Sequence, residues 1–334
     1  MKTLLLLLKF PVCILVLFLA SLKIKFKKKI NEREYQSLIN TFLVTGGWSN
    51  TLFSIINKNN KKIKIDSPEI NKSSKVISNQ INKNGFYICR NYLSKNIVNK
   101  LVNFAENNLG NYAMDNLPIE LTKEMIFDRK DPKATTFLLN ENLLLNNSLI
   151  QNIISDPLII SISQNYFKSQ PILSSLNMWW STSFKTEPDK YAAQMYHFDL
   201  DGTKWLKYFI YLTNVNSLNG PHTFIKNSHR NNGIPWCFRR KGYTRISDEE
   251  IQKYFGSTNI CEFHGKKGDL IIEDSRGYHK GKPVIENDRL ILEIQFTDTM
   301  LYKKKKYPNL YSYGGNFKNL IKKNKNFFDL VNIQ

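Results

Sequence analysis

The 334-residue chain has only five histidines, and one of them, His197, stands a single residue from Asp199 in "MYHFDLDGTKWLKYFIYLT". On an extended strand alternate side chains point the same way, so His197 and Asp199 project together while Phe198 faces the other side. A mononuclear iron(II) site that activates oxygen needs two imidazoles and one carboxylate on one face, with the opposite face open. One strand therefore offers two adjacent ligands, and the third has to come from a neighbour. His-x-Asp alone is a common pair, and an ordinary polar strand edge accounts for it equally well. His279 lies downstream in "GDLIIEDSRGYHKGKPVIENDRLILEIQFTD", after a Gly-Asp turn and an apolar strand, and Arg289 opens the alternating run beyond it. A buried arginine at that place would clamp a dicarboxylic cosubstrate through two parallel hydrogen bonds.

The elements that must position these residues are short strands. From about Pro171 onward, apolar runs at 172–180, 192–198, 205–213, 222–225, 269–273 and 289–297 alternate with turns, the pattern of an antiparallel sandwich or barrel. Upstream, Asn84-Gly85 turns into a strand over Phe86 to Cys89. A helix follows, with Ser94 as its N-cap and Ile97, Val98, Leu101, Val102 and Phe104 at helical spacing. A second helical segment runs from Ser155 to Phe167. The fold class expected is mainly β with flanking helices (α+β).

Residues 231–262 interrupt the strand rhythm. They contain "ISDEEIQKYFG", where Ser247 and Glu250 form a capping box and Gly256 a stop. The same insertion carries "CFRRKGYTR"; if it covers the mouth of a site, Arg239, Arg240 and Arg245 would favour an anionic substrate. A basic surface loop is an equal account of it.

The net charge of +20 invites a nucleic-acid or membrane-surface reading. However, Lys outnumbers Arg 39 to 9, and the forked guanidinium that specific phosphate and base readers use is correspondingly scarce. A general bias toward Lys, Asn and Ile explains the charge, and nucleic acid is not the expected partner. Four cysteines without regular spacing exclude a disulfide scaffold and a zinc finger, and fit a reducing compartment.

The N-terminus is apolar over Thr3 to Leu22, long enough to cross a bilayer although Lys9 and Pro11 interrupt it. No small-x-small cleavage site follows. Lys23, Lys25, Lys27, Lys28 and Lys29 favour a retained anchor with its C-terminal side in the cytoplasm; the alternative is a cleaved signal peptide and a soluble protein. The organisation expected is an anchor with basic flank over 1–29 and a helical, polar connector over 30–77. A β domain over 78–300, with its insertion at 231–262, precedes a Lys-rich tail over 301–334 that includes four lysines at 303–306.

His-x-Asp, a later histidine and an arginine ten residues beyond it form a restrictive set. With "NGFYICRNYLSKNIVNKL", "SLNGPHTFIKNSHR" and "GDLIIEDSRGYHKG", it resembles the phytanoyl-CoA dioxygenase family of iron(II)/2-oxoglutarate-dependent oxygenases. The resemblance spans roughly 78–298. It implies a double-stranded β-helix (jelly-roll, cupin-like) core, with iron(II), 2-oxoglutarate as cosubstrate and O2. It implies His197, Asp199 and His279 as metal ligands and Arg289 on the far carboxylate of 2-oxoglutarate. His264 competes for the distal place, but the residue ten beyond it is Asp274, which cannot bind a carboxylate. His222 and His229 are read as structural or pocket-lining. Phe209 and Tyr211 share a strand face and would contribute to the cosubstrate pocket or simply fill the barrel. Ile291 departs from relatives that place a hydroxyl residue there. Asp199 implies hydroxylation, since halogenating relatives carry a small residue in its place.

The activity implied is hydroxylation of a small-molecule or lipid-like, anionic substrate. Two other functions compete. A metabolite- or glycan-binding barrel without redox chemistry would not need the set of four residues. A nucleic-acid-associated demethylase of the same superfamily would need a basic groove beside the metal, whereas the lysines gather near the anchor and in the tail.

Overall fold

In the computed structural model the described residues are 2–26, 29–302 and 306–334; Lys27 and Lys28 of the N-terminal cluster and the lysines at 303–305 lie outside them. Four helices open the chain: α1 (Lys2–Lys25), α2 (Glu32–Thr45), α3 (Trp48–Asn57) and α4 (Pro68–Asn84). Asn31 and Glu34 close α2 with a reciprocal capping box, and Gly46 ends it in the left-handed region at φ 64°. Then come β1 (Phe86–Cys89), α5 (Lys95–Glu106), β2 (Gly110–Ala113), β3 (Thr136–Leu139), α6 (Glu141–Leu145), α7 (Ser148–Ile154) and α8 (Pro157–Phe167). Ser94 caps α5 as expected. Asp156 caps α8, whose first residue is proline, a place where the missing N–H costs nothing.

The strands of the second half are β4 (Ile172–Thr182), β5 (Trp205–Tyr211), β6 (His222–Ile225), β7 (Ile260–Phe263), β8 (Leu270–Glu273), β9 (His279–Gly281) and β10 (Asp288–Thr297). Between β6 and β7 lie α9 (Trp236–Arg239) and α10 (Asp248–Phe255), the latter capped by Ser247. The chain closes with β11 (Asn309–Leu310), α11 (Gly315–Lys323) and β12 (Asn332–Ile333).

Seven strands form one antiparallel sheet in the order β1-β8-β5-β10-β4-β3-β2, and β7-β6-β9 form a smaller one. Phe209, Tyr211, Phe224, Phe263, Ile271 and Ile291 pack between them, giving the sandwich of a jelly roll. This is the expected class, an antiparallel sheet core with flanking helices. One strand expectation fails. Residues 192–198 pair only at isolated points, Tyr196 with Ile246 and His197 with His279, because Ala193 sits at φ 55° and kinks the chain. The alternation that puts His197 and Asp199 on one side survives the kink.

Alternation also decides what each face of the large sheet does. Leu206, Tyr208 and Ile210 of β5, Leu290, Leu292, Ile294 and Phe296 of β10, and Met178 and Trp180 of β4 face the helices and form the main core. Their odd-numbered neighbours face the smaller sheet. They include Lys207, Arg289, Glu293, Asn177 and Ser181, a polar set in a space where unpaired charge is costly.

A buried ion pair ties this body to α8. Arg276 donates through Nε and Nη2 to Asp274, which also accepts from the Tyr166 hydroxyl. Burial alone would raise the Asp274 carboxyl, but the Arg276 charge and hydrogen bonds outweigh it and hold the group at about 2. Removing one member of such a pair leaves the other charged and unmatched. Asp274→Ala is therefore expected to cost about 3–5 kcal/mol in urea unfolding at neutral pH. The deficit should be fully present above the ordinary carboxylate value of 3.8 and shrink as pH falls toward about 2, where the wild-type carboxylate is itself protonated.

Candidate metal centre

The loop after Met195 and the strand β9 meet through a reciprocal pair of backbone bonds, His197 N to His279 O at 3.0 Å and His279 N to His197 O at 2.9 Å. Asp199 N donates to Ser275 O at 2.9 Å, which fixes the third residue. As a result His197, Asp199 and His279 present ligand atoms that all lie within 4.8 Å of one another. His197 Nε2 is 3.8 Å from Asp199 Oδ1, and His279 Nε2 is 3.6 Å from Asp199 Oδ2.

Each imidazole is oriented by its other nitrogen. His197 Nδ1 is 2.9 Å from Met195 O, and His279 Nδ1 is 2.9 Å from Gly277 O. A carbonyl only accepts, so Nδ1 carries the hydrogen in both rings, and each Nε2 turns a lone pair toward Asp199. Burial holds both imidazoles below their ordinary pKa, most strongly His197, where the second imidazole adds to the effect. Burial would raise Asp199, but Lys207, His279 and His197 pull it far below the carboxylate range. Two neutral nitrogens and an anion facing one another repel unless a cation lies between them. The donor set of two nitrogens and one carboxylate oxygen fits a divalent iron.

A cavity of about 230 Å³ opens over the two histidines. Arg289 lies in its wall, with Nη2 donating to Ser181 Oγ at 3.0 Å. Its Nε and Nη1 are buried with no hydrogen-bond partner among the described residues, and burial lowers its pKa. No described carboxylate pairs with it. A guanidinium in that state favours an anion, and Nη1 with the second hydrogen of Nη2 suits the bidentate grip of a carboxylate.

The remaining sequence-derived residues distribute as follows. Phe209 lines the cavity; Tyr211 shares its strand face but donates to Phe263 O at 2.8 Å, spanning the two sheets. Ile291 is buried beside it in the same apolar cluster. Arg239 does not reach the cavity. Its guanidinium donates to the carbonyls of Leu43, Val44 and Ile234, tying the insertion to α2. Arg240 is exposed and lines no part of the cavity. Arg245 stacks on Tyr243 and donates to Lys190 O, and the Tyr243 ring lies 6.5 Å from that of His197. His264 is a surface partner of Glu262. His229 contacts Asn82 O.

Lys207, Glu293, Asn177 and Glu273 at the site were not foreseen, whereas His222, read as structural or pocket-lining, lines the cavity. Lys207 Nζ lies 2.8 Å from Asp199 Oδ2 and 3.8 Å from Glu293, whose other oxygen accepts from Asn177 at 3.0 Å. His222 Nε2 is 2.7 Å from Glu273 Oε2 and its ring stacks 5.6 Å from that of His279. Burial pushes the Glu273 carboxyl up and the His222 imidazole down, which favours a neutral hydrogen-bonded pair behind His279. The clue was in the strands: Lys207 alternates with Phe209 and Tyr211, and Glu293 with Arg289 and Ile291, so both point inward.

No family model and no curated protein matches the chain in sequence. Solved structures that it resembles include the non-heme alpha-ketoglutarate-dependent epimerase SnoN of nogalamycin biosynthesis, 12% identical at a TM-score of 0.46, over 68% of this chain and 84% of that one. HygX from Streptomyces hygroscopicus, with nickel and 2-oxoglutarate bound, is 11% identical at 0.46 over 70% and 90%. EctD from S. alaskensis, with bound Fe, is 13% identical at 0.48 over 72% and 83%. At such values these likenesses decide neither family nor chemistry, which the side chains themselves must carry.

The unmatched state of Arg289 makes a stability prediction. Arg289→Met removes a buried, unpaired charge from the metal-free protein, so its melting temperature should stay level or rise, by up to about 4 kcal/mol in equivalent stability. A loss of several degrees would mean that the guanidinium is a structural strut.

Proposed function

We propose that the chain is an iron(II)- and 2-oxoglutarate-dependent oxygenase that hydroxylates a small-molecule or lipid-like substrate. The observation that carries this reading is that two buried histidines, converging with the half-buried Asp199 carboxylate, and a guanidinium without a carboxylate partner among the described residues line the same cavity.

His197 Nε2, His279 Nε2 and the Asp199 carboxylate would hold the metal, each already oriented by a backbone bond or by Lys207. Iron(II), when bound with 2-oxoglutarate and O2, supplies the oxidative decarboxylation that yields succinate, carbon dioxide and a hydroxylated product. Arg289 would take the distal carboxylate of the cosubstrate end-on, through Nη1 and the second hydrogen of Nη2, while Ser181 accepts the other Nη2 hydrogen and holds the guanidinium in plane. Lys207 neutralises the Asp199 oxygen nearest to it and ties it to the sheet, which leaves the carboxylate one orientation. Trp179, Phe209 and Leu138 in the cavity wall exclude water from the reacting centre. Asp199 as a carboxylate supports hydroxylation over halogenation.

α1 supports a tether. Within Thr3–Lys25 an 18-residue stretch has a mean hydropathy of 2.6, and most of that stretch stays uncovered by the rest of the protein. An anchored oxygenase would suit a substrate that partitions into a membrane, with the catalytic domain on the cytoplasmic side.

Anaerobic titration of the full chain should show one iron(II) bound and, on adding 2-oxoglutarate, air and substrate-containing lipid or metabolite extracts, stoichiometric succinate. Asp199→Ala should weaken iron binding and turnover by about 100-fold or more. Wild-type protein that takes up neither iron nor 2-oxoglutarate, or an Asp199→Ala variant that keeps its turnover, would overturn the assignment.

A further inference from the structure

A second cavity, of about 330 Å³, lies where α3, the end of α8 and the loops after Gly202 and Ser228 converge, and it shares no lining residue with the metal cavity. Five cations line it, Lys58, Lys168, Lys204, Arg230 and Arg276, and no carboxylate does. Two carboxylates stand behind the wall. Asp274 is consumed by Arg276 and Tyr166, and Asp298 accepts from Ser54, Thr203 and the Lys204 backbone. Lys204 is half-buried with its ammonium on the Tyr166 carbonyl at 3.0 Å and over the Tyr166 ring at 3.7 Å. It has no carboxylate within ion-pair distance among the described residues, and burial draws its pKa down to about 8. Arg276 is the one cation of the five that has a carboxylate partner among the described residues, Asp274. A concave site lined by five cations, four of them without such a partner, favours a polyvalent anion.

The rim adds a second feature. Trp48, Leu52, Ile55 and Ile56 recur at helical spacing along α3 and are exposed, and Ile55 and the half-buried Lys58 that follows α3 both line the cavity. The opening thus sits at the edge of an apolar stripe, next to the exposed length of α1 that α3 packs against. We propose that this cavity binds a phosphate ester, with the phosphate held by Lys204 and Arg276 and flanked by Lys58, Lys168 and Arg230. A soluble ester and the headgroup of a phosphate-bearing lipid present the same dianion, and the stripe offers the lipid an apolar path.

The test uses the full chain in neutral detergent micelles, titrated calorimetrically with sn-glycerol 3-phosphate and, separately, by adding phosphatidic acid or phosphatidylcholine to the micelles. One ester should bind per chain. Lys204→Met and Arg230→Gln should each weaken it at least tenfold, and Lys318→Gln, at an exposed lysine of α11 that does not line the cavity, should not. Arg230 is exposed, so its replacement leaves folding intact even if Lys204→Met does not. Saturable binding of glycerol 3-phosphate alone supports a soluble ligand, of phosphatidic acid alone a lipid headgroup, and of both the shared chemistry. The proposal is overturned if neither probe binds, if Lys204→Met and Arg230→Gln bind as well as the wild type, or if Lys318→Gln weakens binding as much as Arg230→Gln. The last result would reduce the effect to diffuse attraction by a basic protein.

Discussion

Charge buried between two sheets needs a partner, and the arrangement of the cavity over His197 and His279 follows from that constraint. β4, β5 and β10 turn their apolar residues to the helices and their polar ones inward, so Lys207, Glu293 and Arg289 line one cavity, beside Asp199 of the loop before β5 and, behind His222, Glu273 of β8. Most of them find partners there. Lys207 serves Asp199 and Glu293, Asn177 serves Glu293, and Glu273 serves His222. What remains unmatched is informative. Two imidazole lone pairs converge on a carboxylate, and one guanidinium keeps two donors idle. A cation would fill the first deficit and an anion the second, and His197, His279 and Arg289 line the same cavity.

The surroundings make those deficits tolerable. The histidines are held through Nδ1 by carbonyls two residues earlier in the chain, Met195 for His197 and Gly277 for His279, so their orientation needs no metal to set it. The paired backbone bonds between His197 and His279 join the ligand loop to the smaller sheet. The main apolar core on the other face of the large sheet keeps the scaffold rigid, with Trp180, Tyr208 and Phe296 fully buried. Rigidity of this kind suits a centre whose ligands must stay within hydrogen-bond tolerance of one geometry.

The strands and their alternation were legible because the apolar period is short and local: β1, β6 and the bounds of β10 follow directly from runs such as "RLILEIQFTD". The convergence of His197, Asp199 and His279 was legible as a pattern, since only a few residue sets have that spacing. Lys207 was harder to see. It sits among aromatics in "KYFIYLT", and only the face shared with Phe209 identifies it as inward. Arg239 was unreadable in another way, because its partners, the carbonyls of Leu43 and Val44, lie far away in the chain. The polar texture of residues 30–84 likewise hides the few apolar side chains, Leu38, Phe42, Phe53, Ile77 and Ile81, that dock those helices on the body.

The most direct measurement is diffraction from crystals grown without oxygen in iron(II) and 2-oxoglutarate, with data collected at the iron absorption edge. One anomalous peak is predicted at roughly 2 Å from His197 Nε2, His279 Nε2 and an Asp199 oxygen, with the far carboxylate of 2-oxoglutarate on Arg289. Iron bound elsewhere, or a cosubstrate carboxylate that bypasses Arg289, would contradict the account at its centre.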